Sequence, residues 1–455
     1  MNQRQLRLTL YIGSIVLLVG WSIFLYISPQ FSVASVKLQR PVLLVWGLLS
    51  ALGLCFLWVA SKIINNTGSF QLAKHDWGLI IVTAILMRIL MLFSTPVLEN
   101  DFERYFLDGN MILSGMNPYE VYPQELLKEV TSGTSERDLS RFTSDTAVKS
   151  MKNVNHQHIR TIYPPFAQAV FTVVQWIAPW SMVAWKIFLF ILEIIIVFAL
   201  IEILKSLQRP LTYLILFLWN PIVIKEFYNV AHMDLILLFP IALALMFYLK
   251  SRYTLTGAML GLAIAAKLWP IVLVPFFLKG LERQKIITFV ISLGVTFTIM
   301  MSPLLFISYD NDSGFVRFGT YWAMNDALYN FIYSSIQHIF ALSYDVSFKT
   351  ARFIVGAALL GCLYWFWRRS TIEKSSVVKN MTFFMCSFFI LLPTQFPWYY
   401  SWLLLFLVIF PVNALLVYSC VIFTYYLRFH FLYRQQVDVF DGLFEVVPAG
   451  SLHRI

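Results

Sequence analysis

The sequence predicts an all-α integral membrane protein that crosses the bilayer many times. Of its residues, 59% are hydrophobic and only 13% are charged, whereas soluble domains carry roughly 25% charged residues. Apolar runs of about 17–25 residues recur along nearly the whole chain, and each is long enough to cross a hydrocarbon core of ~30 Å. Basic residues are concentrated between these runs, as on the cytoplasmic side of membrane proteins. We therefore expect a polytopic protein of roughly 11–14 helices.

The formal net charge of +10 does not require nucleic acid as a partner, and we expect none. Short basic loops between membrane helices also favour anionic lipid headgroups, which makes membrane lipids the expected partner of this charge. The four cysteines lie inside apolar runs. In such runs cysteine behaves as a small hydrophobe, so the sequence predicts neither a disulfide framework nor a cysteine metal site.

Residues 1–97 are expected to form the N-terminal transmembrane helices. Three apolar spans are predicted there, at Leu8–Ile27, Pro41–Ile64 and Trp77–Val97. Arg4 and Arg7 precede the first span, and the positive-inside rule places them in the cytoplasm. The third span then ends on the outer face of the membrane.

Residues 98–162 form the one long polar stretch and are predicted to be the first large outer loop. Asp101, Arg104, Tyr105 and Asp108 recur there at i, i+3, i+4 and i+7, so in a helix they share one face. Two carboxylates, a guanidinium and a phenol would then lie at the mouth of the bilayer. This arrangement suggests chemistry on a lipid-borne anion, and the loop is the expected catalytic segment.

Residues 163–430 are predicted to form a transmembrane bundle with re-entrant or bent helices, followed by a C-terminal tail at 431–455. Pro165–Trp180 is expected to dip into the membrane or lie at its surface, because a full crossing would put the basic residues after the next span outside. Leu255–Leu278 is interrupted at Lys267–Pro270, and Trp398–Arg428 is expected to be two helices. The remaining predicted spans are Val183–Leu204, Leu211–Val230, Met233–Leu249, Ile286–Ile307, Ala351–Trp367 and Met381–Pro397, with Leu328–Leu342 as a half-span or interfacial helix.

Ionisable residues in these apolar runs are functional candidates, because an unpaired charge in the membrane costs several kcal/mol. Lys267 is the clearest case, since a buried ammonium requires an anion and a phosphate is a suitable one. Two interpretations of Asp101 stay open at this point: an interfacial ion pair with Arg104, or a reactive carboxylate. His232 either caps a turn or belongs to the same site.

Several strings follow one another along the chain in a recognisable order. They are DFERYFLDG at 101–109, GMNPY at 115–119, TIYPPFAQ at 161–168, WNPIVIKEF at 219–227, HMD at 232–234, AKLWP at 266–270, NDAL at 325–328 and FPWY at 396–399. Together they resemble the motifs of membrane glycosyltransferases of the GT-C superfold. The motifs resemble those of bacterial glycosyltransferases similar to family 87 and of mannosyltransferases that depend on polyprenol-phosphate mannose.

The resemblance implies an inverting enzyme of the bacterial cytoplasmic membrane that works on its outer face. It would move a hexose, with mannose as the expected sugar, from a polyprenyl-phosphate carrier to a lipid-linked or cell-envelope glycan acceptor. Asp101 matches the general base, and Arg104, His232 and Lys267 are candidates for binding the donor phosphate. Further substrate-binding candidates are Glu103, Tyr105, Asp108, Asn117, Tyr163, Asp234, Asn325, Asp326, Trp398 and Tyr399.

No cofactor is predicted, because a phosphate leaving group needs its charge met but does not strictly require a metal. The carboxylates of Asp101, Glu103 and Asp108 are the one set that could hold a divalent ion. Phe396 departs from the family pattern, in which many relatives have histidine before Pro-Trp-Tyr. A transporter or flippase of a lipid-linked saccharide is the alternative function, since broken helices and central charges would serve it as well. A non-catalytic subunit of a glycan-synthesising complex is a third.

Overall fold

The computed structural model confirms the all-α fold class. It describes residues 3–33, 41–66, 72–133, 136–307, 313–314, 327–436 and 439, which contain no strand. The α-helices in chain order are α1 Gln3–Ile27, α2 Val42–Ile64, α3 Lys74–Leu92, α4 Asp101–Leu113, α5 Pro123–Ser132, α6 Asp145–Asn153, α7 Pro165–Ile177, α8 Met182–Ser206, α9 Ile215–Leu218, α10 Leu235–Leu249, α11 Tyr253–Ala266, α12 Val274–Leu278, α13 Arg283–Met301, α14 Ala327–Phe340, α15 Tyr344–Arg369, α16 Lys374–Leu391, α17 Tyr400–Ile409, α18 Asn413–Val421 and α19 Leu427–Leu432.

Within the described residues, seven helical segments are long and apolar enough to cross a membrane, or eight if one bent pair counts as a span. Five further apolar helices have 10–17 residues, which is short of the ~20 residues that a straight crossing requires. The expected roughly 11–14 membrane helices are reached only when these shorter helices are counted as well. Many of the apolar runs are therefore interrupted.

The short α7 and the breaks near Lys267 and Trp398 lie where the sequence predicts them, whereas the predicted span Leu211–Val230 is also bent at Pro221. α7 has 13 residues, which is too short for a full crossing and agrees with the expected re-entrant or interfacial segment. α11 ends at Ala266, and Lys267 is extended with φ −159° and ψ 137°. A 3-10 turn over Trp269–Leu273 then leads into α12, because Pro270 cannot continue a helix from the preceding turn. The predicted break at Lys267–Pro270 is confirmed, and so is the division of 398–428 into separate helices.

A bend of 52° separates Leu211–Leu218 from a π-helix at Val223–Asn229. Pro221 lies in the break, where its missing N–H group ends the preceding helix. Asn220 stabilises the turn by accepting a hydrogen bond from the Ile222 N–H at 2.9 Å. Short π-helical segments are frequent at functional sites, and this one carries Lys225 and Glu226.

Residues 98–162 are largely helical rather than an extended loop. α4, α5 and α6 pack around a small apolar core of their own, formed by Leu107, Met111, Leu126, Phe142 and Met151 among others. α4 also packs closely against α7 at Gly109, where an added Cβ would lie 2.8 Å from the Phe171 carbonyl carbon and oxygen. The segment therefore forms a folded unit that holds α4 in place.

Charged groups inside the candidate spans are paired. Arg88 donates from Nε to Glu193 Oε2 at 2.8 Å, and the Tyr228 hydroxyl donates to the same carboxylate. Lys186 donates to the Met91 and Ser94 carbonyl oxygens at 2.9 and 3.0 Å. These contacts connect α3, α8 and the π-helix: Arg88 and Glu193 form a buried ion pair, and Lys186 is bound by backbone carbonyl oxygens.

We predict that Gly109→Ala destabilises the protein by about 1–3 kcal/mol, because the new methyl group overlaps backbone that cannot move freely. The thermal unfolding midpoint of the purified protein in detergent measures this loss. Gly78→Ala is the matched control, since a Cβ there meets nothing within 4 Å and alanine favours a helix. Equal midpoints for the two variants would contradict the close packing of α4 on α7.

Candidate active site

A cavity of about 670 Å³ opens where helices begin or break. Its walls come from the start of α4, residues 155–164, the break at Lys267, residues 392–402 and the end of the last helices. Aromatic and aliphatic side chains supply most of the surface, and several charged groups are set among them. A cavity of this size and lining is typical of a small-molecule binding site.

Asp101 is the first residue of α4 and lines this cavity with a side chain that is 27% exposed. Its Oδ1 accepts a hydrogen bond from Asn155 Nδ2 at 3.4 Å, and its Oδ2 lies 3.7 Å from His232 Nδ1. Loss of water around the carboxylate raises the pKa of Asp101 to about 6, although Asn155 and the charge of Lys267 oppose the shift. The group is therefore suited to accepting a proton near neutral pH.

The chain before Asp101 is held against the π-helix. Asn229 donates from Nδ2 to Ser94 Oγ at 2.9 Å and to the Thr95 carbonyl oxygen at 2.7 Å. Its Oδ1 accepts from the Val97 N–H at 3.1 Å. Leu98 then adopts a left-handed conformation with φ +64°, which is rare for a branched side chain and occurs where the surrounding structure enforces it. These contacts fix the direction in which α4 begins.

Lys267 supplies a cation to the wall of the same cavity. Its ammonium lies 2.9 Å from Asp234 Oδ1, and Trp402 Nε1 donates to the same oxygen at 2.7 Å. The ammonium also lies over the rings of Tyr399 and Trp402, 4.3 and 4.7 Å from their centroids. The Lys267 side chain is 20% exposed but that of Asp234 only 2%, so the cation faces the cavity and its counterion lies behind it.

Arg104 is a second cation on the cavity wall. Asp108 binds its Nε at 2.7 Å, and the Ile159 carbonyl oxygen accepts from Nη1 at 2.9 Å. Nη2 is buried and has no hydrogen-bond partner among the described residues. Asp108 itself is fully buried and also accepts from Gln168 Nε2 at 2.7 Å. Asp108 therefore orients Arg104 and leaves one of its donors available to an anion.

Aromatic side chains from the predicted set shape the walls. Tyr105 contacts Tyr163 edge to face, with ring centroids 5.1 Å apart, and both line the cavity. Trp398 stacks on His232, with ring centroids 3.8 Å apart, and on Phe396, with ring centroids 4.4 Å apart. Phe396 thus extends an apolar stack at the position where many relatives have histidine.

Three predicted residues make structural contacts instead of lining the cavity. Glu103 accepts a hydrogen bond from the Ser150 hydroxyl on α6, Asp108 binds Arg104 as described, and Asn117 accepts from the Tyr119 N–H at 3.0 Å within a turn. Asn325 and Asp326 lie outside the described residues. Because Asp101, Glu103 and Asp108 bind different partners, they do not form the suggested carboxylate set. No group of three His, Cys, Asp or Glu side chains that could hold a metal occurs in the described part of the chain.

Other cavity residues were not singled out by the sequence analysis. Glu99 is buried, and burial raises its pKa well above the usual range, with the neighbouring Asp101 charge adding to the shift. Asn155 binds the Asp101 carboxylate, and Arg160 and Arg428 add positive charge. Two signals were available: Arg160 directly precedes the 161–168 motif, and Arg428 ends the last apolar run.

The fold and the site together define a polytopic membrane protein with an acid–base group and several cations around one cavity. The chain belongs to glycosyltransferase family 87, whose family model matches residues 161–394. Tyr163, His232, Asp234 and Lys267 lie within the matched range, whereas Asp101 precedes it. No curated protein and no solved structure matches the chain.

We predict that Asp108→Asn destabilises the protein by about 3–5 kcal/mol, because it removes the counter-charge of the buried Arg104 guanidinium. Thermal unfolding in detergent should show a midpoint lower by several degrees. The matched control is Glu136→Gln, which changes an exposed carboxylate to an amide. If Asp108→Asn and Glu136→Gln unfold at the same temperature, Asp108 does not orient Arg104 in the way described.

Proposed function

We propose that the protein transfers a hexosyl group from a polyprenyl-phosphate carrier to a hydroxyl of a lipid-linked or cell-envelope glycan. Membership of glycosyltransferase family 87 supports the transfer reaction. The observation that carries the more specific proposal is the cavity, in which the Asp101 carboxylate and the cations of Arg104 and Lys267 line the same space. Mannose is the sugar that the sequence resemblance favours.

Asp101 acts as the general base. Its carboxylate takes the proton of the acceptor hydroxyl while that oxygen attacks C1 of the donor sugar and the bond from C1 to the phosphate oxygen breaks. Attack from the side opposite the leaving phosphate inverts the anomeric centre. The raised pKa of about 6 keeps the group mostly ionised at neutral pH and still basic enough to accept the proton.

Arg104 and Lys267 stabilise the phosphate that leaves. Both line the cavity, and each is backed by a buried carboxylate, Asp108 and Asp234 respectively. These counterions hold the cations in position before the donor binds, so negative charge that develops on the phosphate meets preorganised donors. Aromatic rings beside Lys267 suit the apolar start of the polyprenyl chain.

The reaction takes place on the outer face of the bacterial cytoplasmic membrane in this proposal. Support comes from the basic residues Arg4 and Arg7 before the first apolar helix, which favour a cytoplasmic N-terminus. Three candidate spans, α1 to α3, precede Asp101. Three crossings from a cytoplasmic N-terminus place Asp101 and the cavity on the outer side of the membrane.

The alternative of a transporter or flippase would also use broken helices and buried charges. Family membership supports transfer over transport. A transporter forms no new glycosidic bond, so label from the donor sugar found in a new covalent product separates the two functions.

We predict that Asp101→Asn lowers sugar transfer by at least about a hundredfold, because an amide cannot accept the proton. The measurement uses membranes containing the protein, with labelled polyprenyl-phosphate mannose and, separately, polyprenyl-phosphate glucose. Incorporated label identifies the donor, and the product anomer reports inversion. Glu136→Gln provides the control for a carboxylate changed to an amide away from the cavity. Transfer that persists at the wild-type rate in folded Asp101→Asn would contradict the assignment.

We also predict that kcat/KM falls about tenfold per pH unit below roughly pH 6 and levels off above it. The base works only when it is deprotonated, and the pKa of Asp101 is raised to about 6, so activity is lost as the pH falls through that value. Initial rates between about pH 5 and 8 test this. Activity that rises toward low pH would require a different base.

A further inference from the structure

His232 lies between two carboxylates and makes no ordinary hydrogen bond with its ring. Its Nδ1 is 3.7 Å from Asp101 Oδ2, and its Nε2 is 3.6 Å from Glu226 Oε2. Neither ring nitrogen has a hydrogen-bond partner among the described residues, and neither has Glu226 Oε2. Leaving such groups unpaired in a buried site costs free energy. The distances exceed the hydrogen-bond range by less than about 1 Å, and catalytic hydrogen bonds often shorten when substrate binds.

Glu226 is held so that one oxygen faces the imidazole. Its Oε1 accepts from the Tyr426 hydroxyl at 2.7 Å, and Lys225 Nζ donates to that hydroxyl oxygen at 3.1 Å. The second oxygen, Oε2, is the one beside His232 Nε2. A neutral imidazole that donates its Nε2–H to this carboxylate presents the Nδ1 lone pair to Asp101. The tautomer is therefore set by Glu226.

The position of the ring is also fixed. Ala231 has φ +64°, and its carbonyl oxygen accepts from Trp185 Nε1 at 2.8 Å. The His232 N–H donates to the Glu226 carbonyl oxygen at 2.9 Å. One face of the imidazole stacks on Trp398 at 3.8 Å with 21° between the planes. A tryptophan face stabilises a cation placed against it.

We propose that His232 is a positioning residue that takes over the proton which Asp101 removes from the acceptor hydroxyl. This inference rests on the proposed function. The acceptor O–H bond breaks as the oxygen bonds to C1, and the electron pair of the C1–O bond leaves with the phosphate. The proton on Asp101 then moves to the lone pair of His232 Nδ1, while Nε2–H stays directed at the Glu226 carboxylate. After the products leave, the proton returns through Asp101 to water in the cavity.

The charges around His232 support an imidazolium as a transient state. Asp101 and Glu226 favour it, and Trp398 adds its aromatic face. Burial of the ring disfavours it most, and the charges of Lys225 and Lys267 disfavour it further. The charge of Lys225 is offset by Glu226 through Tyr426, and that of Lys267 by Asp234. Outside turnover, burial and the two cations keep the ring neutral.

This role differs from the phosphate contact that the sequence analysis expected for His232. The side chain is 1% exposed and lies behind Asp101, whereas Arg104 and Lys267 form the cavity wall. A phosphate in the cavity meets those two cations first. The imidazole is reached through the Asp101 carboxylate.

The test is His232→Gln, which keeps a polar side chain but removes the proton acceptor. We expect kcat to fall about a hundredfold, with the KM for the polyprenyl-phosphate sugar changed less than about twofold. The kcat of the variant should rise with the concentration of a small buffer base, which takes the proton from the partly exposed Asp101 in place of the imidazole, whereas the wild-type kcat should not. His75→Gln, at a half-exposed histidine beside Asp76, is the matched control and should match the wild type.

Glu226→Gln gives a second, independent test in case His232→Gln does not fold. It weakens the stabilisation of the imidazolium and should lower kcat while leaving KM unchanged. A raised KM with unchanged kcat in His232→Gln would mean donor binding and would overturn the proposal. A lower kcat that does not respond to the buffer base would mean a structural role and overturn it equally. If the wild-type protein transfers no sugar, that result would instead contradict the proposed function itself.

Discussion

The Asp234 carboxylate is the contact on which the arrangement of the site depends. It binds the Lys267 ammonium at 2.9 Å and the Trp402 indole N–H at 2.7 Å. Asp234 lies at the start of α10, and its two partners come from the break after α11 and the first turn of α17. One buried oxygen thus joins three helical segments. Without it, Lys267 would be an unpaired cation in an apolar bundle, which costs several kcal/mol.

Interrupted helices explain how an oily chain builds a polar site. A continuous membrane helix satisfies its own backbone, so it offers little to a substrate. Here, the helices are interrupted near Pro221 and Pro270. The segments at these interruptions place Glu226, His232 and Lys267 close to the start of α4. The charged groups of α3 and α8 are paired with each other instead. The charges therefore divide into a structural set within the spans and a reactive set around the cavity.

The sequence predicted the fold class, the break at Lys267 and the shared face of Asp101, Arg104 and Tyr105, because apolar run length, proline and helical periodicity are local properties. It placed Glu103 and Asp108 among the substrate-binding candidates, although both make structural contacts. The roles of Asp101, Glu103 and Asp108 depend on what packs against each side of α4: a cavity, Ser150 on α6 and Gln168 on α7. Such neighbours lie about 50–60 residues away along the chain, beyond the reach of any local pattern. The cavity cations Arg160 and Arg428 lie beside a motif and at the end of an apolar run, but neither position by itself shows that the side chain faces a cavity.

The central claim is that one cavity holds the donor phosphate at Arg104 and Lys267 and the reacting hydroxyl at Asp101. An experimental structure of Asp101→Asn with a bound polyprenyl-phosphate sugar tests it most directly, since the variant should bind the donor without consuming it. The account predicts phosphate oxygens within hydrogen-bond distance of the Lys267 ammonium and the Arg104 guanidinium, with the sugar C1 facing the side chain at position 101. A phosphate bound elsewhere, or a C1 turned away from that side chain, would contradict it.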